Sequence, residues 1–205
     1  INLFIAEFLI LIGSEINEPK FVKNGLRCGN FALNEQQPDG FIPYWGINQT
    51  KKYSNGNFHM DHFHTGFEIR ALFGIWKLTG DVKYKNAYEN YLKWYLNNLF
   101  DKNFVPKFTP KSKYPIDIHS CAEAILCLSI ISRENKEKRK SLMKIINWTI
   151  KEMEFKPGQY KFIISKRIPL LGHIHVKFPM IRWGQSWMLM SLSEALLTLK
   201  IKMDK

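Results

Sequence analysis

Acidic residues are scarce in this chain: 18 Asp and Glu stand against 30 Lys and Arg in 205 residues, a formal charge of +12. A surface so poor in carboxylates favours anionic partners, whether nucleic acid, acidic glycan or membrane headgroups. The lysines are spread along the sequence, and the densest run, 135–140, reads as the solvated start of a helix. No recognised nucleic-acid motif accompanies the charge, so nucleic acid is not an expected partner. Cysteine is scarcer still. Cys28, Cys121 and Cys127 are odd in number and form no CxxC. That argues against a disulfide framework and for buried free thiols in a reducing, cytoplasmic compartment. Long apolar runs are missing as well. The best, Leu3 to Ile12, is interrupted by Glu7, is too short for a bilayer and lacks the basic front end of a signal peptide. No stable membrane span is expected. His59, Asp61, His62 and His64 cluster, and His173-Ile174-His175 follows later, but no HExxH or other standard zinc spacing is present. Neither a metal nor another cofactor is expected.

What is present is ordinary for a globular protein. Hydrophobic residues make up 45% and charged residues 23%, enough for one domain, 1–205, with a real core. Aromatic content is high at 14%, which suits either a helical core or a sugar-binding cleft. The chain begins at Ile1 inside an apolar helix pattern, 1–13, and this reads as a buried helix cut from something longer. A second helix is expected over 18–37, with Pro19 in its first turn. Gln36-Gln37-Pro38-Asp39-Gly40 is a turn leading into the short extended run 41–46, and 51–57 reads as polar loop.

The segment 61–78 is apolar over more than half a helix circumference, so it is expected to be an inner helix. Gly80 stops it and Asp81 caps the next helix, 82–100, whose one-sided periodicity marks it as outer. The cycle repeats with an apolar helix from Asp117 to 131 and an amphipathic one over 137–153. A short strand within 160–164, paired with 176–178, and a last apolar helix, 183–201, complete the chain. Polar segments precede each apolar helix, and the starts at Asp61, Asp117 and Arg182 lie 56 and 65 residues apart. This is an all-α, αα-hairpin repeat. A solenoid and a closed toroid both suit it. Long aromatic-rich loops before every inner helix favour the toroid, with those loops meeting over a central hollow.

Four motifs carry a resemblance: Gln37-Pro38-Asp39-Gly40-Phe41-Ile42-Pro43-Tyr44, Asp61-His62-Phe63-His64-Thr65-Gly66-Phe67, Pro115 to Ala124, and Met180-Ile181-Arg182-Trp183-Gly184-Gln185-Ser186-Trp187-Met188. With these the sequence resembles the six-hairpin glycosidase-like (α/α) toroids, and within them the VpsJ-like polysaccharide biosynthesis proteins. The resemblance implies an (α/α)6 toroid, of which this chain would be the C-terminal half. It implies short β-hairpins or extended loops at the inner-helix mouths. It also implies a bacterial exopolysaccharide or capsule context, with a poly- or oligosaccharide, in some cases acidic, as partner.

Several chemistries stay open at such mouths. Unpaired N–H groups at inner-helix N-termini, with Arg182 and Lys113 nearby, suit uronate or sulfate groups. Asp61 and Asp117 are the natural carboxyl pair for a glycoside hydrolase, although each also reads as a plain N-cap. His64 or His119 with Arg182 would suit a polysaccharide lyase or sugar epimerase; either is equally acceptable as a wall residue. Glu68, one turn beyond His64, would orient that ring, and Glu123 is a further acid. Tyr44, Trp45, Trp183 and Trp187 are stacking surfaces for sugar rings, with core packing preferred for Trp187. His62 and Gln185 complete the expected binding set. The alternative is a non-catalytic glycan-binding or protein-interaction helical scaffold.

Overall fold

A computed structural model describes residues 2–46, 48–49, 52, 59–170 and 172–200. The expected loop 51–57 lies almost wholly outside the described residues, as do Phe58 and the last residue of the expected final helix, Ile201. Helices dominate: α1 (Asn2–Glu15), α2 (Pro19–Asn34), α3 (His62–Thr79), α4 (Val82–Asn98), α5 (Ile118–Ser132), α6 (Arg139–Met153) and α7 (Ser186–Lys200). They fall into two compact units. One comprises the chain up to Met60 together with His64–Asn97, and the other comprises Asp61–Phe63 together with the chain from Asn98 onward.

In the N-terminal unit, α1 buries Leu3, Ala6, Ile10 and Gly13 against α2, while Phe4, Ile5, Phe8 and Leu11 are exposed. The expectation of a buried helix therefore holds for one stripe only, because α2 covers a single face. Gly25 explains the close approach. A Cβ there would come within 2.7 Å of Ile10 and 2.8 Å of the Ala6 carbonyl. α2 begins at Pro19, with the Glu18 carboxylate accepting from the Lys20 N–H. The predicted turn forms as read, with Gly40 N–H donating to the Gln37 carbonyl at 2.9 Å and Gln37 N–H to the Phe41 carbonyl at 2.8 Å.

α3 and α4 form the expected hairpin. Ile69, Ala71, Leu72 and Ile75 are fully buried on α3, and Tyr84, Tyr91 and Tyr95 on α4. Phe73 and Trp76 pack on Tyr88 at centroid distances of 5.3 and 5.6 Å. The buried tyrosine hydroxyls find partners, as buried polar groups must: Tyr84 Oη lies 3.0 Å from Asn30 Oδ1, and Tyr91 Oη lies 2.9 Å from the Ile42 carbonyl. Asp81 accepts from Lys83 N–H at 3.0 Å, the cap its position predicted.

In the C-terminal unit, α5 is buried at every position but Ile130, the mark of a central helix. α6 packs along it through Leu142, Ile145 and Ile146, and α7 lies against it as well. Three details differ from the sequence reading. The helix expected from 137 starts as a 3-10 turn, Lys136–Lys138, capped by Asn135. The last helix is preceded by a π-type turn, Ile181–Gln185, and begins at Ser186. The single strand within 160–164 is two, β3 (Gln159–Tyr160) and β4 (Ile163–Ile164). β3 pairs with β2 (Glu154–Lys156), whereas β4 sits between β1 (Ile116–Asp117) and β5 (His175–Val176), all antiparallel.

One partly buried acid tests the packing of the N-terminal unit. Glu7 of α1 presses on Gly74 of α3, where a Cβ would meet its carboxylate. Burial raises its pKa to about 7 against the opposing pull of Arg70. A folded-state pKa above the unfolded value means that the stabilisation is complete below about pH 4.5 and is lost as pH rises through 7. Glu7→Gln is expected to remove that dependence. Relative to wild type it gains about 1–2 kcal/mol above pH 7, after allowing for partial solvent contact, as read from urea unfolding at pH 4 and pH 8.

Candidate functional site at the helix mouths

Two groups of the expected residues form, one in each unit. In the C-terminal unit Asp117 ends β1 and caps α5. Its Oδ1 accepts from Ser120 N–H at 2.8 Å and its Oδ2 from Ser120 Oγ–H at 2.6 Å. The side chain is only 8% exposed. Burial raises its pKa, the Ser120 hydrogen bonds oppose that, and the charge of Asp61 adds to the rise. Asp61, partly buried and just ahead of α3, is thus close enough to act on Asp117.

His119, the second residue of α5, is buried among rings. Phe63 stacks on it at 4.6 Å and 23°, and Trp187 and Trp183 lie at 5.0 and 5.5 Å. Trp187 is half-buried in this cluster, and Trp183 is 52% exposed. The mouth of α7 approaches that of α5 because residue 184 is glycine: a Cβ there would meet Ile118 at 2.9 Å. Arg182 is exposed on the same turn. Mouth residues expected at Asp61, Asp117 and Trp183 therefore come together, with His119 among them.

Three expected residues have other duties. His62 cannot touch a substrate: it is fully buried, and its Nδ1–H donates to the Leu99 carbonyl at 3.0 Å. Burial depresses its pKa to about 3, so the ring is neutral and structural. Gln185 spends its amide on the backbone of Tyr160, accepting from N–H at 3.1 Å and donating to the carbonyl at 3.0 Å. It anchors β3 to the α7 mouth. Lys113 is held by Asp101 at 2.6 Å, which cancels its contribution to the field. Glu123 is fully buried.

In the N-terminal unit Tyr44, Trp45 and His64 line a cavity of about 450 Å³, with Phe67, Glu35 and Glu68. That volume is in the range of small-ligand sites. Tyr44 meets His64 edge-on at 4.8 Å, and Trp45 packs at 5.3 Å from His59. Glu68 is 2.9 Å from the Tyr91 hydroxyl, a partner that the expected His64 pairing did not foresee. Among the described residues no group of three His, Cys, Asp or Glu has the geometry to hold a metal ion. Sequence reasoning missed Phe63, Ser120 and Glu35. Phe63 was absorbed into the apolar stripe of α3, although its place between Asp61 and His64 put it in the motif.

No family model matches the sequence, and no curated protein matches it. Solved structures do. An unsaturated glucuronyl hydrolase specific for heparin superposes with a TM-score of 0.67 at 14% identity, over 95% of this chain and 58% of that one. An inactive variant of a Salegentibacter α-1,6-mannanase in complex with α-1,6-mannotriose gives 0.67 at 11%, over 96% and 55%. A cellobiose 2-epimerase from Spirochaeta thermophila gives 0.70 at 10%, over 98% and 52%. These are six-hairpin glycosidase-like (α/α)6 toroid enzymes. The likeness establishes the fold, αα-hairpins of an α/α toroid, and this chain spans about half the length of the structures it matches.

The neutral His62 gives a pH test of the α3 start. Its pKa lies below the unfolded value, so its contribution is present above about pH 6.5 and is lost as pH falls toward 3. His62→Leu is expected to flatten this part of the stability profile relative to wild type. It also lowers stability at pH 7 by about 1–3 kcal/mol, because the Leu99 carbonyl loses its donor. Chemical unfolding across pH 4–7 reads both effects.

Proposed function

We propose that this chain is part of a carbohydrate-active protein of bacterial polysaccharide formation or modification, akin to the VpsJ-like group. Its sugar site lies at the N-terminal ends of the inner helices. The observation that carries the reading is the C-terminal mouth. Asp117 is buried and biased toward its neutral form, Asp61 supplies a second carboxyl that acts on it, and half-exposed Trp183 offers a ring face beside His119. A buried carboxyl with a raised pKa beside a second carboxyl suits a site that must hold an acid and a carboxylate together. Among hydrolase, lyase and epimerase chemistry this favours glycoside hydrolysis, with Asp117 as the acid and Asp61 as the partner carboxylate. Helix N-termini, Arg182 and the overall positive charge suit an acidic oligosaccharide. Tyr44, Trp45 and His64, around the other cavity, supply further binding surface.

The length of the solved relatives supports a further part of the reading. Further hairpins would complete the toroid against the exposed apolar residues of α1 and of α7, among them Phe8 and Leu197. A second reading, glycan binding without turnover, is favoured by one feature: both oxygens of Asp117 are already taken by Ser120.

Titration calorimetry against acidic and neutral oligosaccharides, with product analysis, tests both. Trp183→Ala is expected to weaken binding about tenfold, or about 1.4 kcal/mol. Asp61→Asn is expected to keep binding and stop turnover. Binding without turnover by the wild-type chain would leave the binder reading, turnover unchanged in both Asp61→Asn and Asp117→Asn would remove these carboxyls from the chemistry, and no binding by any oligosaccharide would sink both.

A further inference from the structure

The stretch 155–193 holds no Asp or Glu, yet it carries Lys156, Lys161, Lys166, Arg167, Lys177 and Arg182. Its centre is the β4–β5 hairpin. Ser165 N–H donates to the Ile174 carbonyl at 2.9 Å, and Ile168 and Gly172 exchange N–H···O bonds of 2.8 and 3.0 Å, so the arms stay paired close to the tip. The cations are near enough to oppose one another. Lys161 is held below its usual pKa by burial and, in part, by Lys177, against the pull of Glu152. His175 is depressed by burial and by Lys161, His173 and Lys177.

Between these charges the hairpin displays apolar side chains to water. Leu170 at the tip is fully exposed, and Ile168, Ile174, Val176 and Phe178 are exposed along the arms. Leu170 also adopts φ +68°, a left-handed backbone that costs a bulky residue energy and that Gly or Asn would take without strain. A bare turn would be better served by either. A leucine kept there at a conformational cost is a leucine with something to enter.

We propose that this hairpin docks the protein on an anionic lipid bilayer, its apolar tip entering the headgroup boundary while the flanking Lys and Arg meet lipid phosphates and carboxylates. Basic residues around a short apolar insertion are the chemistry of interfacial attachment. A soluble polyanion would use the cations alone and gain nothing from Leu170 or Ile174. No helix among the described residues is long and apolar enough to cross a membrane, so the attachment is to the surface.

Co-sedimentation of the purified 205-residue chain with vesicles of phosphatidylcholine, with and without phosphatidylserine, tests this. Binding is expected only to the phosphatidylserine vesicles and is expected to fall as salt is raised. Lys166→Glu with Arg167→Glu is expected to weaken it by about tenfold or more, since each cation near such a surface contributes a severalfold factor. Leu170→Asn separates strain from function. It is expected to raise the melting temperature slightly while lowering vesicle affinity by about tenfold. Three results would overturn the proposal: equal binding to both vesicle types or to neither; binding to soluble dextran sulfate that Leu170→Asn leaves unchanged, without vesicle binding; or self-association in sedimentation velocity that Leu170→Asn abolishes.

Discussion

A helix buried on all sides must still satisfy the N–H groups of its first turn, and in this protein that task falls to Asp117. α5 has almost no contact with solvent, so water cannot serve its N-terminus, and the Asp117 carboxylate takes the backbone and hydroxyl of Ser120 instead. The same residue is the last of β1, whose pairing with β4 fixes the approach of the chain. The geometry of the mouth follows. His119 is placed within the first turn, Phe63 covers one face of its ring, and Gly184 lets the α7 mouth bring Trp183 and Trp187 close to it. A cap buried this deeply is also a carboxyl whose pKa burial raises above its ordinary value, against the pull of the Ser120 hydrogen bonds. The structural and chemical readings of Asp117 are therefore not rivals: the burial that makes it necessary as a cap is what perturbs its acidity.

Helical features were legible where one face is polar. α4 showed its Tyr and Leu stripe plainly, and Asp81 and Gly80 marked its approach, because each rests on local chemistry within a turn of the chain. The strand expected within 160–164 and its partner at 176–178 correspond to β4 and β5, paired through Ile163 and Val176. Their bounds, and the separate strand β3, were not legible, since a pattern of period two cannot establish itself over two residues. β4 also pairs with β1, more than 40 residues earlier in the chain. The π-type turn before α7 was hidden for a similar reason: its one glycine, Gly184, answers to a close approach to Ile118 more than 60 residues earlier and not to a local turn pattern.

The candidate site divides along the same line. Asp61, Asp117 and Trp183 were expected at helix mouths because each sits at the start of an apolar run, a position readable from sequence. His62 was misplaced because its neighbours look identical in type: helix rotation alone turns His62 into the Leu99 carbonyl and His64 toward Tyr44. Only the chain around it decides which imidazole is wall and which lines a cavity. Gln185 teaches a related lesson. A side-chain amide at a mouth is well suited to a sugar hydroxyl, but a backbone N–H and C=O pair two elements away offers the same donor and acceptor at no loss of translational freedom, and Tyr160 takes it.

Aromatic residues, abundant throughout, serve two ends that exposure separates. Tyr84, Tyr91 and Tyr95 are sealed in the N-terminal unit, two of them with hydroxyls committed to named partners, and they stiffen the hairpin of α3 and α4. Tyr44 and Trp183 keep about half of their surface in water. A ring left half-wet forgoes burial worth a substantial part of its possible stabilisation, and it does so here beside a histidine in both cases. Folding alone gives no reason for that pairing to occur at two mouths. On the function proposed above, an apolar sugar face covering each ring would supply one.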